Sequence, residues 1–248
     1  MNVFQITASS VAGCVRENNE DMVLVGLHFL RNDSLNHTAT VDDSQRFLCA
    51  LADGMGGHNC GEVASSDVLE NLQYFYSDMP NGLSTSDFNE AIYEWLSSMN
   101  NTMEAKGRVT PECKDMGTTL VALALYEGRF YWMNCGDSRL YRLHEGKLQQ
   151  LSTDHSLSNL TGEKSHSHII TNCIGGGCKS SYIDIVECSD QVTSGDTFLL
   201  CSDGLSDMLD DATIERLLND GSDANGLCRA AEAAGGFDNV SVALIHVE

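Results

Sequence analysis

The sequence predicts an α+β protein in which two packed, mainly antiparallel sheets carry helices on their outer sides. Three observations support this. Apolar and β-branched runs dominate up to residue 52, two amphipathic helical patterns follow, and strand-like runs resume at residue 118 before a last pair of helical stretches. Glu127-Gly128 and Glu145-Gly146 sit where two-residue turns would join antiparallel neighbours.

In chain order, Val3 to Ser9, Met22 to Phe29 and Arg46 to Ala52 read as strands, with polar Arg31 to Gln45 as the loop before the third. Ala64, Val68, Leu72, Phe75 and Tyr76 recur on one helical face, and Phe88, Ile92, Trp95, Leu96, Met99 and Met103 on a second. Both stripes are core packing. Ser84 or Ser86 is placed to cap the second helix and Gly107 to end it. Strand patterns return at Thr118 to Tyr126, Arg129 to Asn134, Leu140 to His144, Tyr182 to Glu187 and Asp196 to Leu200. Ala212 to Asn219 and Asp223 to Ala234 read as helices, and a final strand begins at Val240. With only 2 Pro and no low-complexity tract, a single domain over residues 1–248 is expected.

A formal charge of -22 excludes nucleic acid as a natural partner, because a phosphate backbone demands a basic face. It suits solubility, or attraction of basic phosphoprotein segments. The first residues lack a basic stretch ahead of an apolar one, and no apolar run approaches the roughly 18 residues of a membrane span. A cytoplasmic, membrane-free monomer is expected. The 10 Cys contain no Cys-x-x-Cys pair and read as reduced core residues, with Cys173 and Cys178, flanking a Gly run, the first pair to check.

Four strand-like runs carry an Asp at one end. Phe47 to Ala52 leads into Asp53-Gly54, Tyr131 to Gly136 into Asp137, and Phe198 to Ser202 into Asp203-Gly204, while Asp238-Asn239 opens Val240 to Val247. Carboxylates crowded at one end of a sheet repel each other unless cations stand between them. Oxygen donors without His or Cys pairs select Mg or Mn over Zn. Two such ions can share a carboxylate, generate a hydroxide at neutral pH and clamp a phosphoryl oxygen. Asp53 is the bridging candidate, since Gly54 lets the backbone approach a metal. Arg16, with Glu20 and Asp21 close behind, adds a guanidinium for a substrate phosphate.

Seven motifs then stand in order: Arg16-x-x-x-Glu20-Asp21, Ala52-Asp-Gly-Met-Gly-Gly-His58, Gly117-Thr-Thr119, Cys135-Gly-Asp-Ser-Arg139, Thr153-Asp-His-Ser156, Ser202-Asp-Gly-Leu-Ser-Asp207 and Gly236-Phe-Asp-Asn-Val-Ser241. Through them the chain resembles, over nearly its whole length, the bacterial branch of the PPM family, the metal-dependent protein serine/threonine phosphatases also called type 2C. The resemblance implies an αββα sandwich with two Mn or Mg ions between the sheets and a third, weaker site. It implies that Asp53 bridges both ions, that Asp203 and Asp238 hold the first, and that Glu20 and the Gly54 carbonyl hold the second. Asp21 would hydrogen-bond metal waters, Asp137 and Asp207 would form the third site, and Arg16 would bind the substrate phosphate. The implied reaction is attack of a bridging hydroxide on phosphoserine or phosphothreonine without a phosphoenzyme. The implied partner is a phosphorylated protein of a Ser/Thr kinase pathway.

Some positions depart from that pattern. Met55 stands where eukaryotic members have a His proposed as general acid, and a thioether has no proton to give; His58 reads first as a loop hydrogen-bonder. The flap segment Asp154 to Thr171 is short and lacks the usual basic residue before Thr171-Asn172, which leaves substrate choice open. His155, His166 and His168 read as loop residues, not a metal cluster. Ser138 and Arg139 are expected to shape the turn beside Asp137, and Thr118 and Thr119 to pack and hydrogen-bond near the site. Arg16 speaks against a regulator phosphatase acting on an anti-sigma antagonist, and the intact set Glu20, Asp53, Asp203 and Asp238 against a silent scaffold.

Overall fold

In the computed structural model, which describes residues 1–42, 44–56, 60–162, 169–178 and 180–248, alternation decides the layers. The strand Arg46–Ala52 sends Phe47, Cys49 and Leu51 to one face and Leu48, Ala50 and Ala52 to the other, and both faces are buried. A strand buried on both faces needs a layer of protein on each side.

The chain opens with β1 (Asn2–Val11), β2 (Met22–Val25), β3 (His28–Leu30), β4 (Asp33–Val41), β5 (Arg46–Ala52) and β6 (Gly54–Met55). Helices α1 (Gly61–Asp78) and α2 (Thr85–Val109) follow, then β7 (Gly117–Thr118), β8 (Leu120–Tyr126), β9 (Arg129–Cys135), β10 (Arg139–His144) and β11 (Lys147–Gln150). The rest is α3 (Leu157–Thr161), β12 (Ile174–Gly175), β13 (Asp184–Glu187), β14 (Thr197–Cys201), α4 (Asp203–Ser206), α5 (Asp211–Asn219), α6 (Ala224–Ala233) and β15 (Val240–Val247).

One six-stranded antiparallel sheet runs β11-β10-β14-β15-β1-β4 and a second runs β13-β9-β8-β5-β2-β3. Their facing sides interdigitate Phe4, Ile6, Val23, Leu51, Leu123, Leu200 and Ile245. Outside the second sheet lie α1 and α2, whose stripes Ala64, Val68, Leu72, Phe88, Ile92 and Met99 are buried as their spacing predicts. Outside the first lie α4, α5 and α6, over Leu199, Cys201 and Val242. The layers are therefore helix, sheet, sheet, helix.

Local chemistry explains the boundaries. Ser84 closes a reciprocal capping box with Asp87 at the start of α2. Glu127 with Gly128 and Glu145 with Gly146 hold the paired positive φ angles that tight hairpin turns require.

Several expectations need correcting. Met22 to Phe29 is not one strand but a hairpin, broken at Gly26, where φ is 61°. The polar segment Arg31 to Gln45 contains β4, an edge strand paired along β1, with Ala39 and Val41 turned inward. Gly107 lies inside α2 and does not end it; a Cβ there would press on the backbone of Cys113 and Lys114, so the glycine allows close approach. Thr119 breaks the expected strand Thr118 to Tyr126 in two, and the short first piece joins a third sheet, β12-β7-β6. The cysteines are not all reduced: Cys60 and Cys113 form a disulfide, whereas Cys173 and Cys178 stand 3.3 Å apart as thiols.

Candidate metal centre

The ends of both large sheets deliver acidic residues to one edge. Asp53 follows β5, Glu20 and Asp21 precede β2, Asp137 lies between β9 and β10, Asp203 opens α4 directly after β14, Asp207 follows that helix, and Asp238 precedes β15. Arg16 sits in the connection between β1 and β2.

The backbone of Asp53 is clamped. Its carbonyl accepts from Thr119 N at 2.9 Å and from Thr118 Oγ1 at 2.8 Å, while its own N–H donates to Thr119 Oγ1 at 3.0 Å. Ser138 Oγ lies 2.7 Å from Thr119 Oγ1 and extends the clamp towards Asp137. Gly54 and Gly61 pack so closely that a Cβ on Gly54 would strike the carbonyls of Gly61 and Glu20, and one on Gly61 would meet Glu20 Oε2 at 2.7 Å. Only glycine lets the start of α1, the Asp53-Gly54 turn and the Glu20 carboxylate share this space.

Asn239 joins the two ends of the chain. Its Oδ1 accepts from Glu20 N at 2.8 Å, and its Nδ2 donates to the carbonyls of Asn18 at 2.8 Å and Ala12 at 3.0 Å. Arg31 does similar work from the other side, donating to the carbonyls of Asp21 and Glu62 and to Ser65 Oγ, which in turn donates to the Glu20 carbonyl. Neither residue stands out in the sequence. Asn239 lies inside the last motif, but only the fold shows what its amide holds.

The carboxylates feel one another. Burial, then the charges of Asp21, Asp203, Asp137 and Asp238, push the Asp53 carboxyl well above the usual carboxylate range. Burial lifts Asp21 to about 7; the hydroxyls of Ser241 and Ser202 oppose the rise, and Asp203 and Asp238 add to it. Asp137 is also raised to about 7, by burial and then by Asp203. Glu20 is raised by burial, with Arg16 pulling the other way. Arg16 Nη2 donates to Asp238 Oδ2 at 2.6 Å, and Asp238 Oδ1 accepts from Asn239 N at 2.8 Å.

Among the described residues, no three His, Cys, Asp or Glu side chains are gathered tightly enough to hold an ion as they stand. The donor set nevertheless fits hard divalent cations. It offers only oxygen ligands, and Asp21 is fully buried with neither oxygen in a hydrogen bond of good geometry. The mutual rise in proton affinity marks a surplus of negative charge that cations would offset.

Neighbouring residues turn out to be structural. Arg139 is bound by Asp154 through Nε at 3.0 Å and Nη2 at 2.7 Å. His155 accepts from Gly136 N on Nδ1 and faces Asp184 Oδ2 with Nε2 at 3.0 Å, so both ring nitrogens have partners within the protein. Asn172 donates to the Tyr182 carbonyl at 2.8 Å and stands 2.8 Å from His155 Nδ1. His58, His166 and His168 lie outside the described residues.

Comparison with known proteins follows the same lines. The family model described as Protein phosphatase 2C matches residues 29–232. The chain is 33% identical over 255 residues to the serine/threonine protein phosphatase PstP of Mycobacterium tuberculosis, covering 99% of this chain but only 45% of that protein, so it spans about half the length of this relative. It is 30% identical to the protein phosphatase PhpP of Streptococcus pneumoniae, across 98% of this chain and 97% of that one. A crystal structure of the PstP catalytic domain in complex with two manganese ions superposes with a TM-score of 0.75 at 32% identity, covering 100% of this chain and 99% of that one. Fold, motif order and sequence similarity agree, and the chain belongs to the protein phosphatase 2C family.

Proposed function

We propose that this chain is a phosphoprotein phosphatase that hydrolyses phosphoserine and phosphothreonine with two Mn or Mg ions. The observation that carries the reading is the convergence at one sheet edge of Asp53, Asp21, Asp137, Asp203 and Asp238, which separate segments of the chain bring close enough for the other four to act on the Asp53 carboxyl. In this reading Asp53 would serve both ions, Asp203 and Asp238 would hold the first, and Glu20 with the Gly54 carbonyl would hold the second. Asp21 would hydrogen-bond water bound to them, and Asp137 with Asp207 would offer a weaker third position. When bound, the ions supply an activated water and offset charge on the phosphoryl oxygens.

The chain's own groups do the rest. Thr118 and Thr119 hold the Asp53 backbone, so its carboxylate is aimed before any ligand arrives. Asn239 keeps Glu20 in register with Asp238 across the gap between the sheets. Arg16, with its side chain 54% exposed, is placed to turn from Asp238 to an incoming phosphate and orient its oxygens. Met55 gives no proton, so the departing seryl or threonyl oxygen is protonated from solvent or by another side chain. No strand-borne nucleophile is required.

Mn binding by the PstP catalytic domain supports Mn as the first choice. Similarity to PhpP across 97% of its length supports one phosphatase domain over residues 1–248. A cytoplasmic monomer opposing a Ser/Thr kinase completes the reading; among the described residues no helix is long and apolar enough to cross a membrane. The test is hydrolysis of a phosphothreonine peptide with Mn supplied or chelated. Turnover should require Mn, and Asp53→Asn should lower it by about a thousandfold or more. Undiminished activity under complete chelation would refute the reading.

A further inference from the structure

Two thiols outside the acidic edge form an asymmetric pair. Cys173 Sγ and Cys178 Sγ lie 3.3 Å apart across the run Gly175, Gly176 and Gly177, all at positive φ. Cys173 is 3% exposed, whereas Cys178 is only partly buried. A disulfide needs the sulfurs at about 2.05 Å, so closure asks for little more than an ångström in a segment of three glycines. A Cβ on Gly176 would come within 2.6 Å of Cys173 Sγ, so the glycine also makes room for the sulfur.

Cys178 is reached from outside. A cleft of about 580 Å³ opens between the C-terminal half of α2 and the glycine run, and Met103, Gly107, Lys114, Met116 and Cys178 line it. That volume falls within the range of small-molecule sites. We propose that Cys173 and Cys178 are a reversible thiol–disulfide couple, oxidised by a low-molecular-weight disulfide of the glutathione class that enters through this cleft.

The exchange balances. Cys178 loses its proton and attacks one sulfur of the small disulfide; a mixed S–S bond forms, the small disulfide's own S–S bond breaks, and the released thiolate takes up the proton. Cys173 then loses its proton and attacks Cys178 Sγ, the mixed bond breaks, and the second small thiol leaves with that proton. Two cysteine sulfurs are oxidised and one small disulfide is reduced to two thiols. Burial, then the hydrogen bond and charge of Cys178, push the Cys173 thiol up. Exposure sets the order written here: the partly exposed Cys178 meets the small disulfide first, and the buried Cys173 attacks second.

Peptide mapping of the full chain tests this. Tryptic cleavage after Lys164 and Lys179 yields the peptide 165–179, which contains both cysteines and neither Cys60 nor Cys113. After equilibration in graded reduced and oxidised glutathione, acid quenching and alkylation, this peptide should shift from doubly alkylated to unalkylated and two hydrogens lighter, and revert in excess reduced glutathione. Cys173→Ser should leave Cys178 as a glutathione mixed disulfide about tenfold more abundant than in the unaltered chain. Cys178→Ser should leave Cys173 a free thiol. A peptide doubly alkylated at every ratio, a persistent mixed disulfide on Cys178 in the unaltered chain, or a link from Cys173 to Cys135 would overturn the proposal.

Discussion

Arg16 and Asp238 meet at 2.6 Å, but their side chains are 54% and 39% exposed, so the pair contributes at most about 1 kcal/mol. A contact that weak is easily exchanged for a phosphate. Arg16→Ala should therefore raise KM for a phosphopeptide by roughly 10-fold to 100-fold, while calorimetric Mn titration shows affinity no weaker than before. Lower Mn affinity would mean that Arg16 supports the ligands and not the substrate. Asp196 is the opposite kind of residue, with its side chain 1% exposed. Arg142 Nε donates to it at 2.9 Å, Thr193 N at 2.8 Å, and His144 Nδ1 lies 2.7 Å away. Burial opposes its ionisation, but the hydrogen bonds from Thr193, His144 and Arg142 prevail and hold the carboxyl below its ordinary value. A depressed folded-state value stabilises the fold above the unfolded value of about 3.9 and loses that effect as pH falls through the folded value. Asp196→Asn should cost about 2–4 kcal/mol near neutrality, and urea unfolding should show the gap narrowing below about pH 4.

At the scale of elements, the Cys60–Cys113 disulfide ties the start of α1 to the short turn after α2 and closes a separation of 53 residues. Cys60→Ser combined with Cys113→Ser should lower unfolding free energy by about 2–4 kcal/mol, measured by denaturant titration in the absence of reductant. Strand β5, helix α1 and the turns at Gly128 and Gly146 were legible in the sequence because each has a period or a turn signature that side-chain burial enforces. Strand β4 was not, because an edge strand leaves Thr38 and Thr40 in water and hides its alternation behind polar residues. Strands β6, β7 and β12 have two residues each, too few to show any period. Most acidic residues of the site were legible because they stand beside a strand, whereas Asp207, at the end of α4, was marked only by the motif that contains it. Asn239 and Arg31 were not: Asn239 acts on Glu20 from 219 positions away, and Arg31 reaches Glu62 across 31. Nothing local marks such partners.

For the molecule as a whole, a net charge of -22 creates a field that no single contact expresses. A phosphopeptide flanked by Lys and Arg should therefore show a kcat/KM that falls several-fold between roughly 0.05 and 0.5 M salt. An acidic-flanked peptide should show no fall, and equal behaviour of the two would remove any role for the field. In the first sheet, β15 lies between β14 and β1, so the strand nearest the C-terminal end of the sequence sits mid-sheet. A ribosome delivering this chain releases β1 more than two hundred residues before the neighbour that fills its second flank. Once β4 has followed, β1 would have a partner on one side and a bare ladder of N–H and C=O groups on the other, which would invite pairing with other nascent chains. Release of Val240–Val247 would close that flank and, in the same event, bring Asp238 to the acidic edge, so the completed sheet and the completed acidic cluster would appear together during synthesis.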